Sequence, residues 1–281
     1  MTSSTPNGEA KAGDPAAKAI PMLLDAYGDR LYALGLRLCG SAADAEDLMQ
    51  ETFMQAFRKW DQYEGRSAPF TWLYTIATRA CYRLHRKRAG EPARIGSLDE
   101  LLPFGETRLA ALPADDDVLG AQIQAEARSL VEAAIAALPV GFRLPLVLKD
   151  IVGLSIAEIA RILDLKPATV KTRVHRARLR LRQALDEAIP RREGPAPPVP
   201  YSRQMCLDLL ATKQRALDTG VPFDEEIICE RCRTVFRELD MAQSACRDLA
   251  RGTLPETVRR RIIGRIEDAS DNGSESASQK L

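Results

Sequence analysis

Residues 154–178 read LSIAEIARILDLKPATVKTRVHRAR. Ser155 stands before an apolar run with Glu158 three positions on, the pattern in which a hydroxyl and a carboxylate cap a helix start reciprocally. Ile156, Ile159, Ala160 and Leu163 recur at helical spacing and predict a buried stripe. A tight turn at Asp164–Lys166 follows. Pro167 suits the first turn of a second helix, where its missing N–H is not needed. Val170 and Val174 would face the first helix. Lys166, Thr169, Lys171, Thr172, Arg173, His175 and Arg176 would then point outward, and no acid interrupts the chain from Lys171 to Gln183. The reading is a helix-turn-helix whose second helix enters the DNA major groove, with Lys, Arg and Thr on phosphates and base edges. The competing reading is an amphipathic hairpin with a solvated basic face.

The rest of the chain sets the frame. Its 281 residues allow about two domains. Hydrophobic residues make up 45% but aromatics only 5%. With Ala, Leu and Arg abundant, that favours an all-α fold. Forty basic residues against 39 acidic ones nearly cancel, but the cations are segregated. Arg79, Arg83, Arg86, Lys87, Arg88 and Arg94 form a second basic run, and such runs on helices suit a polyanion. Met1–Lys18 is polar and lacks the apolar core of a signal peptide. No apolar run reaches the roughly 20 residues of a membrane span. The expectation is a cytoplasmic protein without membrane contact, its six cysteines kept from disulfide pairing by a reducing compartment.

Seven segments are expected. Residues 1–18 form a disordered N-terminus. Residues 19–89 form three or four helices, one over Ala19–Cys39, one opened by Ser41 and Asp44 and running to about Trp60, and one beginning at Pro69. Residues 90–118 lack periodicity and contain several Pro and Gly, as a linker does. Residues 119–189 form a second helical block around the helix-turn-helix. Residues 190–200 are a Pro-rich, extended spacer. Residues 201–268 form a third small helical domain, and 269–281 a disordered tail rich in Ser, Asn and Asp.

Three stretches together carry a family resemblance. Residues 138–155, LPVGFRLPLVLKDIVGLS, run into the helix-turn-helix. Upstream lie DAEDLMQETFMQAFRKW (44–60) and FTWLYTIATR (70–79). In this order they resemble regions 2 and 4 of the extracytoplasmic-function (ECF) sigma factors of bacterial RNA polymerase, over about residues 19–188. The resemblance implies a transcription-initiation subunit. Asp44, Asp47, Gln50 and Glu51 would dock on the clamp helices of core RNA polymerase. Tyr63, Arg66, Ser67, Trp72, Tyr74, Arg79, Arg83 and Arg86 would bind the promoter −10 element, where an unstacked base needs a pocket and the strand needs cations. The outward residues of the second helix would read the −35 element. Arg79 stands where the family often has Asn, Arg83 where it often has an acid, and Ala168 where it commonly has Gly. The two arginines make the phosphate contribution larger and more salt-dependent.

Beyond residue 190 the chain carries Cys206, Cys229, Cys232 and Cys246. Cys229 and Cys232 have the C-x₂-C spacing that lets two thiolates hold one zinc. With Leu254–Ile263, this block is similar to the zinc-binding domain of anti-sigma factors, except that Glu225 stands where that family generally has His. The resemblance implies a structural or sensory zinc on Cys206, Cys229 and Cys232 with Glu225 or Cys246 as fourth ligand. Reduced packing thiols and a Cys229–Cys232 redox pair are the other two readings. Cys39 and Cys81 sit in apolar helical patterns and read as packing residues. The block would regulate the sigma domains by folding back on them, or the chain would answer to a separate anti-sigma factor.

No Gly-rich phosphate loop, Ser/His/Asp set or carboxylate pair suggests an enzyme, and no cofactor is required. The alternative function is a helix-turn-helix regulator that never joins polymerase. That reading leaves the Asp44–Trp60 helix without a role.

Overall fold

The computed structural model describes residues 10–86, 95, 101, 118–188, 200–224, 228–250 and 252–278. Every regular element among them is helical. We number the α-helices in chain order: α1 (Ala16–Cys39), α2 (Ala42–Lys59), α3 (Pro69–Arg86), α4 (Val118–Ala137), α5 (Val140–Leu146), α6 (Ile156–Leu163), α7 (Pro167–Ala188), α8 (Arg203–Thr219), α9 (Glu230–Asp248) and α10 (Glu256–Ser278). A 3₁₀ turn (Trp60–Gln62) follows α2, and one π turn (Val147–Ile151) follows α5. Pro145 cannot donate to the ladder just ahead of that π turn.

The chain divides into two compact units. The first comprises residues 1–91, 147–170 and 250–281. Here α1 packs on α2 and α3, and α2 packs on α3. Gly40 ends α1 in the left-handed region (φ 78°), which costs glycine little. The Ser41 hydroxyl then accepts from the Asp44 N–H at 3.1 Å to start α2. Leu24, Leu34, Leu38, Leu48, Phe53 and Leu73 fill the core between these helices. α6 packs on α3, and α10 packs on α1 and α2.

The second unit comprises residues 92–146 and 171–249. α9 packs on α4 and on α8. Its core includes Val131, Ile135, Leu144, Leu181, Leu185, Phe236 and Leu239. Arg143, buried in α5, donates to the carbonyls of Ala136 and Leu138 at 2.6–3.1 Å and so closes the end of α4.

Two expectations are corrected. Helix α1 starts at Ala16 rather than residue 19. Helix α10 runs to Ser278, through the stretch from 269 expected to be disordered. Val258, Ile262 and Ile266 seat its first turns, and a docked helix propagates cheaply once nucleated. Residues 201–268 divide between the two units. The linker and spacer lie almost wholly outside the described residues.

Candidate nucleic-acid and polymerase interfaces

The loop between the 3₁₀ turn and α3 is held by aromatics. Trp60 and Tyr63 stack at 4.9 Å between ring centroids, and Trp72 meets Trp60 edge-on at 5.6 Å. The Tyr63 hydroxyl donates to the Ser67 carbonyl at 2.5 Å. The Trp60 indole N–H donates to the Asp14 carbonyl at 2.7 Å. Gly65 takes φ 71° at the loop tip. The loop therefore presents Arg66 outward from a rigid support, while Ser67 is half-buried.

Beside it lies a cavity of about 860 Å³, whose lining includes Tyr27, Arg30, Arg66, Phe70, Tyr74 and Arg161. Tyr74 is 2% exposed, and among the described residues its hydroxyl has no hydrogen-bond partner. Burial pushes its pKa well above the ordinary phenol value.

The structure sorts the expected −10 residues. Arg66, Arg79 and Arg83 are exposed, as phosphate contacts must be. Trp72 is half-buried between Trp60 and Tyr63. Tyr63 and Tyr74 are buried, and both line the cavity beside the loop. The Arg86 side chain lies outside the described residues.

On α2, Asp47 and Glu51 are exposed and Asp44 and Gln50 are half-buried. Glu51 accepts from Gln55 at 2.5 Å and from Arg83 at 3.3 Å. Gln50 accepts from Arg265 of α10 at 3.2 Å.

The helix-turn-helix forms as the sequence indicates. Ser155 and Glu158 make the full capping box, with Ser155 N–H donating to the Glu158 carboxylate at 2.8 Å. Asp164 ends α6 in the left-handed region at φ 52°, and the Leu165 N–H closes on the Ala160 carbonyl at 2.9 Å. Lys166, in the turn before α7, and Lys171 and Thr172 on α7 are exposed, and Thr169 is half-exposed. Arg173, His175 and Arg176 are less exposed and contact other parts of the chain. Arg173 donates to the Gly141 carbonyl at 3.3 Å. Arg176 lies over the Phe142 ring at 5.4 Å from its centroid. His175 Nε2 lies 2.9 Å from the Asp218 carboxylate of α8.

Arg178, in the basic run of the same helix, donates to Asp218 at 2.8 Å and to Gln214 at 3.1 Å. Burial alone would raise the Asp218 pKa. The His175 hydrogen bond and the Arg178 charge outweigh it and hold the carboxyl below its ordinary value. Further along α7, Arg182 donates to Glu238 of α9 at 2.5 Å, with both side chains almost wholly buried. Sequence reasoning missed Asp218, Gln214 and Glu238. Each sits in a helix with no local sign of its distant cationic partner.

The cysteines gather only in part. Cys206 and Cys229 lie near enough to Cys232 to influence its thiol. Burial, reinforced by these neighbours, pushes the Cys232 thiol up to about 12. Cys246 is buried, and Glu225 lies outside the described residues. Among the described residues no group of three or more His, Cys, Asp or Glu side chains is arranged to hold a metal ion. The expected zinc set is therefore incomplete there, and no role is derived from a metal. Cys39 and Cys81 are buried, as packing residues would be. No helix of the described residues is long and apolar enough to cross a membrane.

A helix-turn-helix and a rigid, arginine-bearing aromatic loop, borne on one chain, define a DNA-binding protein of the transcription apparatus. Comparison with known proteins is specific. Sigma-70 region 2 matches residues 23–91, and Sigma-70 region 4 matches residues 128–181. The ECF RNA polymerase sigma factor SigW of Bacillus subtilis is 33% identical over 180 residues, covering 63% of this chain and 93% of that protein. SigE of Mycolicibacterium smegmatis is 37% identical over 182 residues, 62% of this chain and 64% of that one. A solved structure of the sigma factor RpoE with the anti-sigma factor NepR from Bartonella quintana matches at 30% identity. It covers 55% of this chain and 89% of that one, with a TM-score of 0.39. The chain belongs to the ECF RNA polymerase sigma factors.

Proposed function

We propose that the protein binds core RNA polymerase and directs it to promoters, with its C-terminal segment modulating that activity in cis. It is not an enzyme; RNA synthesis is the chemistry of the polymerase. One observation carries the reading: two cation-bearing DNA elements lie on one chain in the family order. Arg66 on the aromatic loop, with Arg79 and Arg83 on the helix that follows it, stands exposed in the first. Lys166, Lys171 and Thr172 stand exposed on the helix-turn-helix in the second. Arg66, Arg79 and Arg83, with the loop pocket, would take the opened −10 strand. Lys166, Thr169, Lys171, Thr172, Arg173, His175 and Arg176 would take the −35 duplex. Asp44, Asp47, Gln50 and Glu51 would dock on polymerase.

The test is a binding titration of the full chain against purified core enzyme into the micromolar range, followed by transcription from a promoter library. Saturable binding and promoter-specific transcripts are expected. DNA binding without any binding to core enzyme would favour a stand-alone regulator. In the holoenzyme, Lys171→Ala should weaken binding across sequences and lower the salt slope by about one.

A further inference from the structure

We infer that α10 is a built-in competitor of RNA polymerase, latched across the polymerase-docking face of α2 by an arginine row. The inference rests on the proposed function above and specifies how that site is regulated.

The row is Arg259, Arg261 and Arg265 on α10. Arg259 pairs with Asp25 of α1 and lies 4.0 Å from Asp29. Arg261 pairs with Glu46 of α2 at 3.2 Å. Arg265 donates to Gln50 of α2 at 3.2 Å. Between Arg259 on one margin and Arg261 and Arg265 on the other, Val258, Ile262 and Ile266 are spaced four residues apart, and each is at most 2% exposed. The approach to the helix is fitted as well. The Leu254 N–H donates to Asp29 at 2.9 Å. The Leu254 side chain closes on Gly28, where an added Cβ would meet it at 3.2 Å. At Gly252 an added Cβ would meet the Ala33 Cβ at 3.1 Å and its Cα at 3.3 Å. An apolar stripe, a charged margin and two glycine-sized contacts together describe a docked helix with a defined register.

That register covers Gln50, one of the four residues assigned to polymerase. Packed helices approach to about 8–10 Å, so one helical stripe accommodates one partner helix. α10 and a polymerase helix therefore cannot occupy the Glu46–Gln50 stripe together. The tether makes α10 the local competitor at high effective concentration. Core enzyme then binds with an affinity reduced by the fraction of molecules in which α10 is released.

The experiment compares the full chain with the triple variant R259E/R261E/R265E in a titration against core polymerase and in run-off transcription. None of the three residues belongs to the assigned docking or DNA-reading sets. Reversing three partly exposed contacts should tighten the apparent Kd about tenfold, with a matching rise in transcript. The swap D25R/R259D, which restores a pair with its charges exchanged, should return the affinity toward the parent value.

If the triple variant does not fold, Gly252→Val serves, because it obstructs the strap at Ala33 without touching a charge. Equal Kd values for parent and variant would overturn the latch and leave the sigma-factor reading standing. Failure of both to bind core enzyme would overturn the sigma-factor reading, and the latch with it.

Discussion

Tyr74 and Cys232 are residues whose type suggests function and whose side chains are buried. The Tyr74 hydroxyl is buried without a partner among the described residues, so it suffers desolvation with no compensating bond. Tyr74→Phe is therefore expected to leave stability unchanged or raise it by up to about 1 kcal/mol. Thermal unfolding checks this, and a loss of 2 kcal/mol or more would show that the hydroxyl is bonded. Cys232 is held near 12 by burial and by Cys229 and Cys206. Only the thiolate is nucleophilic, so its iodoacetamide labelling at pH 8 should be far slower than that of a free thiol and should climb steeply only above about pH 10. Mass spectrometry of the labelled peptide reads this directly. Rapid labelling at pH 7 would favour the redox-pair reading.

The helices of the C-terminal segment add acids to the basic helix α7, and these contacts differ in weight. Arg182 and Glu238 are almost wholly buried. Removing Glu238 takes away a charge-assisted hydrogen bond but leaves Arg182 beside buried Asp186 at 3.8 Å, so Glu238→Ala should cost about 1.5–3 kcal/mol, measured by denaturant unfolding. A cost below 1 kcal/mol would mean that water reaches the pair. Asp218 contributes through pH. Its folded pKa lies below the ordinary carboxylate value, so the folded form binds the proton less readily than the unfolded form. The stability it contributes is complete above the unfolded value of about 4 and is lost as pH falls through the folded value. Asp218→Asn should therefore flatten the acid limb of the stability profile below about pH 4. An unchanged limb would exclude Asp218 as a source.

The helix-turn-helix was legible because its signals are local: Ser155 and Glu158 are three residues apart, and Pro167 marks the next start. The pairs Arg178–Asp218 and Arg182–Glu238 were not, since they span 40 and 56 residues and any acid on any helix could have served. The loop aromatics were read by residue type as DNA contacts. That Tyr63 bonds its own loop depends on a fold that residue type does not reveal.

At the scale of the molecule, separation becomes the issue. The −10 and −35 elements lie about 25 base pairs apart, which at about 3.4 Å per pair puts their readers roughly 80 Å apart on duplex DNA. Yet α6, the first helix of the proposed −35 reader, packs directly on α3, which bears two of the arginines proposed for the −10 strand. Val152, Leu154 and Glu158 share one cavity wall system with Tyr63, Arg66 and Phe70. If the two elements are read as proposed, the chain as folded cannot engage both, and promoter binding is expected to part α3 from α6 first. The apolar stripe of α10 could be read from sequence, but its seat on α1 and α2 could not, because it joins residues more than 200 apart. Fluorophores placed at Arg79 and Arg161 through unnatural amino acids should transfer energy efficiently in the free protein. They should lose that transfer in the holoenzyme on promoter DNA, as the distance grows toward tens of ångströms. In the R259E/R261E/R265E variant, core enzyme should produce that loss at about tenfold lower concentration than in the parent chain. Retained transfer in a transcribing complex would show that α3 and α6 stay packed during initiation, and would remove separation as the step on which α10 release acts.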